Sequence, residues 1–256
     1  MPKRSVKAST RVTDIYDGYI QDLNNVKVKS RYEGREEWYH SSLAGLCVRK
    51  HYFGSTMGMK GTSKDQGTMR LFRLGDLVHG DIQEAVRRHA EQTGASIYIE
   101  KELFIPELNV RGFIDLAFID DNVMYDIKTC NSWKWRNMFG RGATEGSSEN
   151  YKLQLGTYGY WYNQTHKKKL SGLYLCYYNK DNSTMKEVEI PLSIIDQARD
   201  YWLTVAHFLR EDSAGNGLPP IELGISPMVQ WECNPKYCSY FEECGGGLKP
   251  ELLRKI

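Results

Sequence analysis

The sequence predicts an α/β fold, a central mixed sheet flanked by helices. Three observations carry this reading. Strand-like and helix-like apolar stretches alternate along the chain. Two short strands face each other around a turn at Asp120-Asp121-Asn122. The 256 residues suffice for one good-sized core, and no boundary marks a second independent domain.

The elements follow in order. Residues 1–38, opening Met-Pro-Lys-Arg-Ser-Val-Lys, read as a basic N-terminal arm, partly disordered. Asp14 and Asp17 argue against an organelle transit peptide. Residues 39–256 read as a single domain, beginning with a helical stretch at 40–53. Leu74, Val78, Ile82 and Ala85 recur at helical spacing, so residues 75–93 form an amphipathic helix. Strands are expected at 97–105, 110–119 and 123–130, a helix at 150–164, and strands at 170–178 and 185–190. A helix rich in Ile, Ala, Trp and Leu follows at 192–212, and the cysteine-bearing region 231–246 comes after it. Lys167-Lys168-Lys169 reads as a solvated turn.

The hairpin holds the chemistry. With a two-residue loop, Leu116 pairs Tyr125, Phe118 pairs Val123 and Ile114 pairs Ile127, giving one continuous apolar face. The other face carries Asp115, Asp126 and Lys128, with Asp115 directly opposite Asp126. Side-chain carbons of such partners lie roughly 4.5–5.5 Å apart, so the carboxylates repel unless a cation sits between them. Carboxylate oxygens suit Mg²⁺ or Mn²⁺. Such an ion lowers the pKa of a bound water and neutralises charge on a phosphodiester. Lys128 is placed to hold the attacking water or stabilise the phosphorus centre. A plain surface salt bridge between Lys128 and a neighbouring Asp accounts for the three residues equally well.

The order Asp115, then Asp126-Ile127-Lys128, resembles the PD-(D/E)XK nuclease superfamily. Gly75-Asp76-Leu77-Val78-His79 before the hairpin and Gln154-Leu155-Gly156-Thr157-Tyr158 after it narrow the likeness to the RecB-like exonuclease branch. The likeness runs from about Cys47 to Cys244. It implies a restriction-endonuclease-like core with Mg²⁺ or Mn²⁺ held by His79, Asp115, Asp126 and the Ile127 backbone carbonyl. It also implies that Lys128 is catalytic, with Gln154 and Tyr158 steadying it and contacting DNA. Gln154 and Tyr158 do share a helical face, and Gly75 leaves room beside His79. A core-facing helix presenting Tyr158, Trp161 and Tyr162 is compatible with the same role. Glu102 reads as an ordinary exposed glutamate, with a place beside the metal as the alternative.

Six cysteines are present, and Cys233, Cys238 and Cys244 crowd together among Pro and Gly. Three thiolates need a fourth, and Cys47 is the candidate, followed by the basic and aromatic run Val48-Arg49-Lys50-His51-Tyr52-Phe53. The layout is similar to the iron–sulfur members of the RecB-like branch, such as CRISPR-associated exonucleases and the AddB nuclease domain. That likeness implies a 4Fe-4S cluster that joins the N- and C-terminal parts of the domain. The first C-terminal gap, Cys233 to Cys238, is two residues longer than the usual pattern. Zn²⁺ is the alternative occupant. Cys130 and Cys176 read as buried thiols, Cys130 sharing strand parity with Lys128. Disulfides are not expected, because no signal peptide directs the chain to an oxidising compartment.

The net charge of +2 argues against nonspecific coating of nucleic acid and fits a local positive groove around an acidic centre. Trp133-Lys134-Trp135-Arg136 interleaves rings and cations, as does the stretch containing Arg49. Bases stack on rings and phosphates meet cations in such grooves, although a core-anchoring Trp pair fits equally. Residues 140–148 read as a mobile loop, either ordering around a strand or serving as a surface connection. No run of about 18 apolar residues crosses a membrane. No helicase-type Gly-Lys-Ser/Thr loop is present, so a motor or processing-complex subunit is a separate partner chain. The expectation is a cytoplasmic, prokaryotic or phage-encoded DNA exonuclease preferring single strands or ends. An endonuclease on the same core, a non-catalytic DNA-binding subunit and an iron–sulfur redox protein are the rivals.

Overall fold

The structure is a computed structural model that describes residues 11–32, 37–59, 61–141, 143, 148–212, 219 and 232–244. The basic stretch 1–10, most of the loop 140–148, Trp231 and Gly245-Gly246 lie outside the described residues. Among the described residues six strands form one mixed sheet. They are β1 (Tyr39–His40), β2 (Ile97–Ile105), β3 (Val110–Phe118), β4 (Val123–Cys130), β5 (Gly172–Asn179) and β6 (Met185–Glu189). The helices are α1 (Val12–Tyr32), α2 (Arg49–His51), α3 (Gln66–Thr93), α4 (Ser132–Phe139), α5 (Glu149–His166) and α6 (Ile194–Asp212). Among the described residues no helix is long and apolar enough to cross a membrane.

Strand β3 is the axis of the sheet. It pairs β2 antiparallel along its whole length. On its other side β4 pairs only Leu116–Phe118, and β1 pairs only Val110 and Arg111, in parallel. The two neighbours therefore leave a fork beside Asp115. Beyond the fork β4 runs parallel to β5, and α4 and α5 make the crossover that a parallel pair requires.

The hairpin register matches the expectation at Leu116↔Tyr125 and Phe118↔Val123. It does not continue to Ile114 and Ile127. Those two residues fall into different apolar clusters, Ile114 with Ala117 and Met124, Ile127 with Leu116 and Cys176. The expected single apolar face is thus replaced by burial on both faces, as suits a central strand covered by helices on each side. Helices α5 and α6 cover one face, with Trp202 Nε1 donating to Thr157 Oγ1 at 2.8 Å. A Cβ on Gly156 would lie 2.5 Å from the Ile194 carbonyl, so glycine lets these helices touch backbone to backbone. Helix α3 covers the smaller cluster with Ile82 and Val86.

Three other expectations change. The supposed arm is largely helix α1, whose Ile20 is buried and whose Asp17 and Lys27 pair with Arg70 and Asp76 of α3. The stripe Leu74, Val78, Ile82, Ala85 faces the core only in part: Ile82 packs on the smaller cluster, whereas Leu74 and Ala85 are exposed and Met69, Gln83 and Ala90 are buried. Residues 40–53 hold short turns around α2 rather than one helix, followed by a wider π-type turn, Tyr52–Thr56. Cysteines 130 and 176 are buried, as expected.

Candidate active site at the sheet fork

The fork determines the site. Where the β3–β4 ladder stops, the Ile127 N–H donates to Asp115 Oδ2 at 2.8 Å instead of to a main-chain carbonyl. This anchors one carboxylate oxygen and fixes the aim of the other. Across β3, Glu100 occupies the position facing Asp115 but makes no ladder pair. Its φ of 49° is left-handed, a strained conformation for a residue with a Cβ, inside a strand. The strain turns its carboxylate toward α3, where Gln83 Nε2 donates to Oε1 at 3.0 Å. His79 approaches from the same helix, with Nδ1 3.7 Å from Asp115 Oδ2. Among the described residues, His79, Glu100 and Asp115 are the group whose ligand atoms all lie within 4.8 Å of one another.

Asp126 stands beside this triple, 1% exposed. Lys128 Nζ lies 2.6 Å from its Oδ2, yet neither carboxylate oxygen has a partner in hydrogen-bond geometry. Burial pushes Asp126 up to about 7, with the Lys128 ammonium pulling it back and Asp115 adding to the rise. Burial likewise pushes Asp115 up to about 6, opposed by Lys128 and the Ile127 N–H. Lys128 is also buried, which works against its charge, but Asp126 and Asp115 together raise its pKa. Burial, then Lys128, lowers that of His79, leaving a neutral imidazole with a lone pair to offer.

A second layer holds the lysine. Gln154 Oε1 accepts from Lys128 Nζ at 3.0 Å, and Gln154 Nε2 donates to the Tyr158 hydroxyl at 2.6 Å. Ser41 Oγ donates to that hydroxyl at 3.2 Å. The ammonium also sits 4.8 Å from the Tyr151 ring centroid. Gly112 makes this closeness possible, since a Cβ there would lie 2.2 Å from Ser41 Oγ and 2.7 Å from Tyr158 Cε1. Gly75 serves a related purpose. A Cβ on it would press on Thr129 Oγ1 at 3.3 Å, so it brings α3 close to β4. Lys128, Gln154, Tyr158, Ser41 and the acidic groups open on one cleft of about 440 Å³.

The sequence-derived residues divide by location. His79, Asp115, Asp126, Lys128, Gln154 and Tyr158 line this one cleft. Ile127 contributes its N–H to Asp115, and its side chain is in the core. Glu102 is neither free nor at the metal triple. Its Oε1 accepts from Arg111 Nε at 2.7 Å, and the buried guanidinium lies 5.1 Å from the Phe113 ring centroid. On α4, Trp133 is 66% exposed and Arg136 is exposed, whereas Trp135 packs on the core and Phe139. Lys134 Nζ donates to the Tyr151 hydroxyl at 2.6 Å. Arg49 does not line this cleft but the cysteine cavity. Its guanidinium donates to Cys244 Sγ at 3.1 Å and to the Pro219 carbonyl at 2.7 Å.

The four expected cysteines do converge. Cys47, Cys233, Cys238 and Cys244 line one small cavity with Phe53 and Tyr240. Glu232 fastens it, accepting from the Cys47 N–H at 2.6 Å and pairing with Lys50. Burial pushes the Cys47 thiol up to about 12.

Glu100, Gln83, Ser41, Tyr151 and Gly112 were not found in the sequence. The available signal for Glu100 was register, since it is the acidic residue of β2 that falls level with Asp115.

No protein-family model and no curated protein matches the sequence. Among solved structures, the chain is similar to the crystal structure of SSO0001, with a TM-score of 0.54 and 18% identity, covering 92% of this chain and 98% of that one. It is also similar to LHK-Exo in complex with dAMP, at TM-score 0.46 and 14% identity over 72% of this chain and 93% of that one. A further similar structure is an alkaline exonuclease (LHK-Exo) from Laribacter hongkongensis, at TM-score 0.42 and 13% identity over 71% and 92% of the two chains. At such identities the likeness is one of architecture: this chain shares the fold of SSO0001 over nearly its whole length.

Proposed function

We propose that this protein is a metal-dependent deoxyribonuclease, an exonuclease that hydrolyses phosphodiester bonds in single strands or at strand ends. The observation that carries the reading is the pair of buried carboxylates at the sheet fork, Asp115 and Asp126, with the Lys128 ammonium against one of them. Burying two like charges side by side is costly unless a cation compensates. Asp126 Oδ2 is paired with Lys128, while its buried Oδ1 has no hydrogen-bond partner among the described residues, which fits a group that awaits an ion. His79, Glu100 and Asp115 would hold Mg²⁺ or Mn²⁺, with Asp126 and the Ile127 carbonyl as further donors. When bound, the ion lowers the pKa of a water and neutralises phosphate charge.

The chain's own groups do the rest. Lys128, held by Asp126, Gln154 and the Tyr151 ring, presents a fixed positive charge where negative charge develops on the phosphate. Its raised pKa keeps it protonated. His79 stays neutral and available as a ligand. Digestion of end-labelled single-stranded DNA with Mn²⁺, Mg²⁺ or EDTA tests the reading. Metal-dependent loss of end nucleotides, absent with EDTA and in Asp126→Ala, supports it. No cleavage under any condition refutes it, and cuts in a closed circular strand make the enzyme an endonuclease.

The second proposed centre is a 4Fe-4S cluster on Cys47, Cys233, Cys238 and Cys244, structural rather than electron-transferring. What supports this reading is that the four cysteines line one small cavity; zinc on the same thiols is the alternative. Brown colour and four irons per chain in anaerobically purified protein test this. One zinc in a colourless preparation overturns it.

A further inference from the structure

A second cleft, about 700 Å³ in volume, opens between α1 and α3. It meets the catalytic cleft at Lys27, Asp76 and His79, which line both. Thr129 forms part of its wall, next in β4 to the catalytic lysine. The two clefts differ in charge. Lys27, Arg73 and Lys180 face a single acid, Asp76, in the cleft under α1. The catalytic cleft has four acids, Asp76, Glu100, Asp115 and Asp126, against three cations, Lys27, Arg111 and Lys128. An anion is thus attracted to the first cleft even before a metal offsets the charge of the second.

The α1–α3 cleft also holds an exposed aromatic side chain. Phe72 is 56% exposed, although it lies on a helix that buries other apolar residues. Phe72, Gly75, Asp76 and His79 lie on one side of α3. Phe72 and His79 are two helical turns apart, about 10 Å along the axis. That distance spans roughly three stacked nucleotides at about 3.4 Å each. Helix α1 stays in place as the roof through Asp17 to Arg70 at 2.7 and 2.6 Å and Lys27 to Asp76 at 2.7 Å. A ring beside cations in a roofed cleft has the chemistry of a single-strand site, since bases stack on the ring and phosphates meet the charges. A pocket of this size holds a ligand of a few nucleotides rather than a double helix.

We propose that the α1–α3 cleft binds the unreacted segment of a single DNA strand, with a base on Phe72 and phosphates on Arg73, Lys180 and Lys27, and delivers it past His79 to the carboxylates. The proposal rests on the nuclease reading, and its test is separable from that reading. Binding of a fluorescent thymidine 20-mer is measured by anisotropy in EDTA, where no chemistry occurs. Cleavage of the small diester bis(p-nitrophenyl) phosphate with Mn²⁺ reports the catalytic cleft alone.

Phe72→Ala should weaken 20-mer binding about tenfold or more, and Phe72→Tyr should restore it. Arg73→Ala and Lys180→Ala should each weaken it and reduce the salt dependence by about 0.7 of a logarithmic unit per decade. Cleavage of the small diester should be unchanged in all of them. Unaltered 20-mer affinity in Phe72→Ala and Arg73→Ala overturns the subsite, as does an equal loss of small-diester turnover. A wild-type protein that cleaves neither substrate refutes the nuclease reading, while the anisotropy series still decides whether the cleft binds the strand.

Discussion

Glu100 and Glu102 are two residues apart on one strand, yet they do different work. Glu100 completes the group with His79 and Asp115 from a strained backbone, and Glu102 pairs with buried Arg111. Glu100→Gln should weaken Mn²⁺ binding in a calorimetric titration with little change in the melting temperature of the metal-free protein. Glu102→Gln should leave metal affinity intact and lower the melting temperature, because it removes the charge paired with a buried guanidinium. The catalytic residues separate in the same way. Asp115→Ala and Asp126→Ala should abolish cleavage while DNA binding persists or tightens, since each removes negative charge near phosphates. Lys128→Ala should keep metal affinity but lower turnover by about 10²-fold or more, as expected of a group that acts in the transition state.

The carboxylates also link stability to pH. Asp115 and Asp126 have folded pKa values of about 6 and about 7, both above the ordinary 3.8. Between about pH 4 and 7 the folded chain therefore binds more protons than the unfolded chain, and the metal-free protein loses stability as pH rises through that window. A divalent ion replaces those protons. Thermal melts from pH 5 to 8 should give a stabilisation by Mn²⁺ that grows with pH, and Asp126→Asn should flatten the metal-free pH profile.

At the scale of elements, Gly112 is the tightest point. Gly112→Ala would force Ser41 and Tyr158 away from β3, so it should lower turnover through Lys128 and destabilise the fold, read as lost activity and an earlier melt. The strands and long helices were legible because alternation and helical spacing survive burial, and strands β2 to β6 start within two residues of expectation. That six of the sequence-derived residues would share one cleft was legible too, because their spacing follows one hairpin and two helices. What stayed hidden depends on three dimensions. The stripe on α3 was misread because Leu71, Phe72, Leu74 and Leu77 are apolar but exposed, which no periodicity can reveal. The wall formed by Ser41 and the left-handed turn at Glu100 come from the fork, which needs two distant strands to end beside the same neighbour. Arg49 was read from the basic and aromatic run after Cys47, and its contact with Cys244, 195 residues on, is one that local sequence does not show.

For the whole molecule, the segment 232–244 closes over residues 47–62. Thr62 N–H donates to the Ser239 carbonyl at 2.9 Å, and Glu232 binds the Cys47 N–H. Cys47→Ala should therefore lower the melting temperature and solubility, and Cys176→Ala should cost only ordinary packing. The closure has a further consequence for synthesis. Glu232 lies 185 residues downstream of Cys47. At about 5–20 residues per second a ribosome needs roughly 10–40 s to make that stretch. Throughout that interval Phe53 lacks the cover that Tyr240 supplies, and the first thiol has none of its three companions. The proposed cysteine centre accordingly cannot close until Cys244 has been made, and a nascent chain stalled before Cys233 leaves a fold whose six-stranded sheet is complete and whose first cysteine is still open to oxidants.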